Sequence, residues 1–453
     1  MYTYQDLLKV GESEKEKIQF TFNVIKDHQS STMYQNAQIA EEYRCRRNVT
    51  ITKYQKFLTK MTGEVVPDLI SANYKLPSNF YARFNTQLVQ YLLGNGISWN
   101  EESTSDKLGK DFEQKMIKLA KEARTGGEAF GFWNLDHLEV FSLLEYAPLY
   151  DEEDGSMKAG VRFWRLAQDK PLRATLFELD GYTDYIWKNG TGEVLNEKRP
   201  YVLNIKYTDE GGEEIIDGEN YEGFPVVPLW ADDTKQSPIV GIRENIDAYD
   251  LIKSGFCNTI DEASIVYWTV NNAGGMDDVD LAKFLEKIRT MHGAFTDDGA
   301  TATPNTINAP HEGREALLDR IRADLYEDAM ALDTKNIAGG AVTATQIEAS
   351  YEPLNSKADD FEYEVSKFLD ELLKLIGIDD EPTYTRSKIV NVQEEIDTIV
   401  TSAQYLNDEY VAKKILELLG DADKADEVLS GLVEDRLYDT GQTAEGFGAE
   451  INK

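Results

Sequence analysis

The sequence predicts an α+β fold that is mainly helical. Three observations predict it. Apolar residues recur at helical spacing in five long stretches; a segment between residues 129 and 230 changes to short apolar runs separated by turn dipeptides; and no repeat of 20–50 residues runs along the 453-residue chain. Such a length suggests about three domains. It also suffices to bury a core without help from disulfides or metals.

Residues 1 to about 60 read as helix. Residues 80–93 place Phe84, Leu88, Tyr91 and Leu92 on one stripe, and Gly94-Asn95-Gly96 stops the helix. A second helix is expected from about Ser105 to Arg124, with Phe112, Met116 and Leu119 on one face, ending at Gly126-Gly127. From Ala129 onward come Phe130–Trp133, Leu138–Phe141, Val161–Trp164, Ala174–Phe177, Tyr185–Trp187 and Tyr201–Leu203. Asp154-Gly155, Asn189-Gly190 and Gly211-Gly212 lie between them as hairpin turns, so this is a β-rich module closed by Pro225 and Pro228.

Helices resume at Pro238. The spacing of Ile242, Ile246, Tyr249, Phe256, Ile260, Ala263, Tyr267 and Val270 predicts one helix to residue 270, ~45–50 Å long. Asn271–Gly275 ends it. A compact insert follows: a short helix from Asp277 to Met291, then a small hairpin pairing Gly293–Thr296 with Asn305–Asn308 across Asp298-Gly299. A helix from Arg314 to Leu332 returns, so two helices form an antiparallel pair with a cap at its tip. Gly339-Gly340 makes the next segment flexible. Thr343 and Gln346 read as a capping box for a helix from 344 to 376, with Pro353 inside it as a kink. Residues 391–453 carry 15 acidic and 5 basic residues and end in a Gly-rich stretch expected to be disordered.

Lys and Arg total 47 against 82 Asp and Glu, a net charge of −35. That argues against a broad basic face for nucleic acid and against binding to anionic membranes. No membrane-length apolar run or leader sequence is read, so an intracellular setting is expected. Cys45 and Cys257 lie far apart, which suggests a reducing compartment and no disulfide. One local reversal stands out: Arg44, Arg46, Arg47, Lys53, Lys56 and Lys60 occur without an acid between them. It reads as a solvated face or an inter-subunit contact in preference to a DNA site, because no groove-reading motif accompanies it.

A search for catalytic chemistry finds little. His28, His137, His292 and His311 lack metal-ligand spacing and read as surface or capping residues. There is no nucleophile elbow, Walker loop or dinucleotide fingerprint. The pairs Asp232-Asp233, Asp277-Asp278, Asp297-Asp298, Asp359-Asp360 and Asp379-Asp380 read as turns and helix starts, since adjacent side chains diverge. No enzyme activity, metal or cofactor is expected. The distinctive features are mechanical: long helices around an insert, and a flexible loop before a proline-broken helix.

Three stretches carry a family resemblance. One is Tyr81–Gly96 with Ala123-Arg-Thr-Gly-Gly-Glu-Ala-Phe-Gly131 and Leu143–Asp151. The second is Gly223–Trp230, then Ser237-Pro-Ile, Ile246-Asp-Ala-Tyr-Asp250 and Ser254. The third is Thr343 to Leu375. In this order they resemble the portal (head-to-tail connector) proteins of tailed bacteriophages, of the type found in siphophages and prophages of Gram-positive bacteria. The likeness covers about residues 20–430.

The resemblance implies a portal fold with wing, stem, clip and crown, assembled as a ring of twelve or thirteen copies. Residues 1–240 would form the wing, with a helical N-terminal part and the β-rich module at about 129–230; 241–270 and 312–332 the stem helices; and 271–311 the clip. Residues 333–390 would form the tunnel loop, the kinked tunnel helix and the return to the wing, and 391–453 a small crown with its acidic tail. Implied partners are double-stranded DNA in the channel, the terminase large subunit, a head-completion (adaptor) protein, scaffold and major capsid protein, with no membrane. The implied location is the capsid vertex of the virion, after assembly in the host cytoplasm. Channel residues would be Lys335, Asn336, Gly339, Gly340, Thr343 and Lys357. Motor-docking residues in the clip would be Asp277, Asp278, Lys283, Lys287 and Phe295, and Pro353 would set the kink. A twelve-fold ring would carry 12 × −35 = −420 formal charges, so an acidic wall would let DNA slide past sparse cations. Another phage head or adaptor protein is the alternative, and a metal-dependent nucleic-acid enzyme a remote one.

Overall fold

The N-terminal region folds as a run of four helices, Tyr4–Val10, Glu14–Ser30, Thr32–Arg44 and Val49–Lys53. Thr3 and Asp6 form a reciprocal capping box. Ser31 ends one helix and caps the next, its Oγ accepting from the Tyr34 N–H at 3.2 Å. The computed structural model describes the whole chain except residues 12, 61, 70, 189, 208–212, 264–266, 272–278, 281, 285, 287–300, 306–310, 336–343, 388–395, 397–398, 406–407 and 420–453.

The β-rich module is built from two sheets. Tyr146–Tyr150, Met157–Trp164, Leu172–Glu178, Gly181–Lys188 and Thr191–Arg199 form a five-stranded antiparallel meander. Period-2 side chains such as Val161 and Phe163, Ala174 and Leu176, and Tyr185 and Trp187 point to one face, where Leu7, Phe20, Val24 and Ile25 of the N-terminal helices cover them. Tyr146 and Phe177 belong to a second, aromatic cluster, joined by Phe130, Phe132 and Phe141 of a three-stranded sheet. That sheet has Glu128–Asn134 at its centre, flanked by His137–Ser142 and Val226–Trp230. Ring centroids of Phe130 and Tyr146 lie 4.4 Å apart and those of Phe132 and Phe177 5.2 Å, so aromatic packing joins the two sheets.

Several expected elements appear: Phe80–Leu93 and Ala344–Ile376 are helical as read, and the helix expected over Arg314–Leu332 runs His311–Asp328. Others are corrected. The helix expected over 105–124 is two helices, Glu102–Leu108 and Phe112–Gly126, because Gly109 takes φ +85° between them. The helix expected to reach residue 270 runs Arg243–Ala263. Tyr267–Asn271, rich in aromatic and β-branched residues, is instead a strand paired antiparallel with Thr301–Asn305. Asn305 thus closes that ladder, in place of the hairpin expected with 293–296, which lies outside the described residues. The first sixty residues are not all helix either: Phe57–Thr59 and Val65–Pro67 form a two-stranded hairpin.

The chain divides into two compact units. One comprises residues 1–331 and 354–386 and holds both sheets and the helices around them. The other comprises residues 332–353 and 387–453, and its described part includes the start of the Ala344–Ile376 helix and the helix Asp408–Leu419. Among the described residues, no helix is long and apolar enough to cross a membrane.

Candidate functional site

The long helices of the first unit meet the β-rich module at a buried polar junction. The Phe112–Gly126 helix ends on Gly127, which has φ +95°. A Cβ there would lie 2.8 Å from Gln236 C and Ser237 N, so the chain at 235–237 approaches backbone to backbone. Ser237 Oγ donates to the Thr125 carbonyl at 2.6 Å, and the Tyr81 hydroxyl lies 3.0 Å from the same oxygen. Arg124, only 3 % exposed, donates from Nη1 to the Ala231 carbonyl at 2.7 Å, lies 3.8 Å from Asp232 and stacks over Phe361. Burial lowers its pKa, with Tyr81 and Asp232 opposing the shift. Glu128, on the adjoining strand, accepts from the Tyr150 hydroxyl and from Trp230 Nε1 at 2.9 Å. Burial raises its pKa against those two bonds. Lys235 and Lys367 sit over the Trp230 ring at 3.6 and 4.1 Å.

A second polar array runs along the Arg243–Ala263 helix. Asp247, Asp250, Ser254 and Asn258 are three or four residues apart, which puts them on one face. Asp247 accepts from the Tyr43 hydroxyl and from Thr50 Oγ1 at 2.7 Å. Asp250, fully buried, accepts from the Ser78 N–H at 2.8 Å and Asn48 Nδ2 at 2.5 Å. Its pKa is raised by burial in spite of these donors. Ser254 Oγ accepts from the Leu76 N–H at 3.1 Å and Asn258 Oδ1 from the Tyr74 N–H at 2.7 Å. Three alternate amides of the extended segment 74–78 are thereby hung on one helix face.

The same helix packs antiparallel to His311–Asp328. Asn245 donates to Asp328 at 2.9 Å near one end and Arg314 donates to Thr259 at 2.8 Å near the other. The strands 267–271 and 301–305 continue that antiparallel course. The expected antiparallel helix pair is therefore present, while most of the insert expected between the helices lies outside the described residues. In His311–Asp328 only Leu325 and Tyr326 are buried, and Leu317 is exposed. A helix of 18 residues with so little cover has most of its face open.

Comparison with known proteins supplies the family. The model of the phage portal proteins, SPP1 Gp6-like, matches residues 24–431. The chain belongs to that family. Its function is accordingly that of a portal at the capsid vertex. It is 24 % identical over 370 residues to the portal protein of Clostridium phage phiCD119, covering 74 % of this chain and 79 % of that one. Among solved structures it is similar to a chain of the neck of an empty gene transfer agent (GTA) particle, with TM-score 0.46 and 11 % identity over 75 % of this chain and 90 % of that one. A chain of the native GTA virion gives TM-score 0.44 and 12 % identity over 75 % and 89 %. Scores this low carry no weight here, and the portal fold rests on the family match.

The residues read as portal site residues are dispersed. Lys335 is exposed, its backbone N–H donating to Asp333 at 3.1 Å. Asn336, Gly339, Gly340 and Thr343 lie outside the described residues, as do Asp277, Asp278, Lys287 and Phe295. Lys283 is exposed and pairs with Asp280 at 3.5 Å. Pro353 lies inside the helix, on an exposed position at the boundary between the two units. Lys357 departs from the reading of an open channel cation: it is half-buried and donates to the Ala329 carbonyl at 2.5 Å. Burial first, then the nearby Arg124 charge, pushes its pKa down to about 7.

The junction itself was not read as a site, although its residues lie in the three stretches that carry the resemblance. Arg124, Glu128, Trp230, Ser237 and Phe361 meet there from segments more than 100 residues apart. His28 is a buried core residue, its Nε2 2.8 Å from the Leu143 carbonyl and its pKa lowered by burial. Asp232 accepts from Thr234 in a turn and Asp380 accepts from Asn100, Glu101 and Thr104 at the start of a helix. Among the described residues no group of His, Cys, Asp or Glu is arranged to hold a metal ion.

Proposed function

We propose that this portal chain assembles into a ring through which double-stranded DNA enters the capsid and later leaves it. The family match over residues 24–431 carries the reading. The antiparallel pair 243–263 and 311–328 supplies the stem, and the open face of the second helix is the surface a neighbouring copy would cover. Residues 271–311 serve as the clip where the terminase motor and then the head-completion protein dock. Residues 333–343 form the tunnel loop, with Lys335 as a sparse cation touching the passing backbone, and residues 391–453 form the crown. The charge of −35 per copy keeps DNA from sticking to the wall. Scaffold and major capsid protein meet the wing, and assembly takes place in the host cytoplasm.

A packaging reaction tests this. Heads formed without the chain should stay empty, and supplying it during head assembly should restore DNA-filled heads. Lys335→Ala should leave rings intact and lower packaging rate or DNA retention; unchanged packaging would remove Lys335 from the channel. Filled heads without the chain would refute the portal reading.

A further inference from the structure

The hairpin at residues 57–67 is rooted firmly and left uncovered. Phe57 pairs with Pro67 and Thr59 with Val65, and all four side chains are exposed on one face. Phe57 is 62 % exposed, Val65 64 % and Leu69 88 %. Isolated two-stranded hairpins are marginal in water, and aliphatic side chains this open mark a surface meant for contact. The base of the hairpin is held fast. Lys56 Nζ donates to the Ala72 carbonyl and Lys75 Nζ to the Thr52 carbonyl, both at 2.7 Å, which staples the two legs together. Directly beyond, Tyr74 and Leu76 hang from Asn258 and Ser254 of the 243–263 helix.

Charge identifies the occupant. Residues 44–75 contain seven basic and two acidic residues, net +5, so the other 421 residues carry −35 − 5 = −40. Arg44, Arg47 and Lys60 are paired with Glu41, Glu42 and Glu64, while Arg46 and Lys53 are exposed in the segment that leads into the hairpin. We propose that this hairpin is an arm that grips an acidic face of the next copy in the ring. A second copy offers that acidic surface at equal number, and a head-to-tail contact repeated around a ring joins two different patches of one chain. Phosphate backbone carries the right charge for the cations, yet offers no apolar surface to cover Phe57, Val65 and Leu69. The inference rests on the ring reading and adds to it a specific contact, fixed through the polar array to the stem helix.

Site-specific photocrosslinking tests it. With p-benzoylphenylalanine in place of Phe57 in the full-length chain, illumination of assembled rings should give chain-to-chain adducts on a denaturing gel, mapping to a peptide richer in acids than in bases. Rings that form normally and give no chain-to-chain adduct would overturn the arm and leave the ring reading standing. Adducts to DNA or to another head protein would overturn it likewise. A wild-type chain that never assembles would overturn both. As a second measurement, Arg46→Glu/Lys53→Glu should raise the concentration needed for half-assembly about tenfold while leaving the circular dichroism spectrum of the protomer unchanged. An unaltered assembly midpoint would count against the arm.

Discussion

Replacing Asp250 with alanine removes the acceptor of two donors buried against the 243–263 helix. Those donors are the Ser78 N–H at 2.8 Å and Asn48 Nδ2 at 2.5 Å, and Asp250 itself has no exposed surface. A buried donor left without a partner costs about 1–3 kcal/mol, which the Ser78 N–H bears in full; Asn48 Nδ2 keeps the Ser78 carbonyl at 3.3 Å, so the two together cost about 2–5. Relief of the carboxylate from burial, which raises its pKa, offsets part of this, leaving about 3 kcal/mol. Amide hydrogen exchange reads the rungs one by one, because three of the donors are backbone amides. At about 1.4 kcal/mol per tenfold, Asp250→Ala should speed exchange at Ser78 by about 100-fold. Ser254→Ala should act mainly at Leu76 and Asn258→Ala at Tyr74, each by about tenfold, since neutral bonds are worth about 1 kcal/mol. Acceleration at Ser78 of less than about threefold would refute the bonding pattern. Equal acceleration at all three amides would show that the segment opens as one unit and not rung by rung.

Lys357→Met should flatten the dependence of stability on pH. The folded chain gives up the Lys357 proton near pH 7 and the unfolded chain near 10.5, so between them the unfolded state binds more protons and stability rises with pH. Thermal melts from pH 7 to 10 should show a rise in the wild type that the variant lacks; parallel curves would contradict the placement of Lys357. Gly127→Ala forces a left-handed residue against the Gln236–Ser237 backbone and should cost at least about 2 kcal/mol in denaturant unfolding, with a wild-type midpoint as the contrary result. Pro353→Ala restores an interior amide to an exposed stretch of helix, a gain of up to about 3 kcal/mol. Exchange of the amides around residue 353 should slow accordingly, and unchanged exchange would argue that the proline carries no strain there.

The β-rich module was legible because its signals are local. Asp154-Gly155 marks a turn where the structure places one, and Phe130–Trp133, Val161–Trp164 and Tyr185–Trp187 fall inside observed strands. The helix starting at residue 344 was legible from a stripe over nine turns. Tyr267 and Val270 misled, since a spacing of three fits a helix even where aromatic and β-branched residues favour a strand. The first strand of the hairpin, Phe57–Thr59, falls at the end of the stretch to about residue 60 that reads as helix, because three residues are too few for a period of two to show. Asp250 and Ser254 were visible in a motif, but their partners Ser78 and Leu76 lie more than 170 residues earlier. Arg124 and Glu128 were quoted as letters of a pattern. Only the fold shows that they are buried charges meeting Ala231, Trp230 and Phe361.

Native mass spectrometry of the purified chain, with negative-stain images of the same sample, addresses the ring directly. A closed assembly of about twelve subunits, 12 × 51.2 = 614 kDa, or of thirteen, with a central hole, is the predicted result. A 51.2 kDa monomer that persists after concentration and in the presence of scaffold would contradict it.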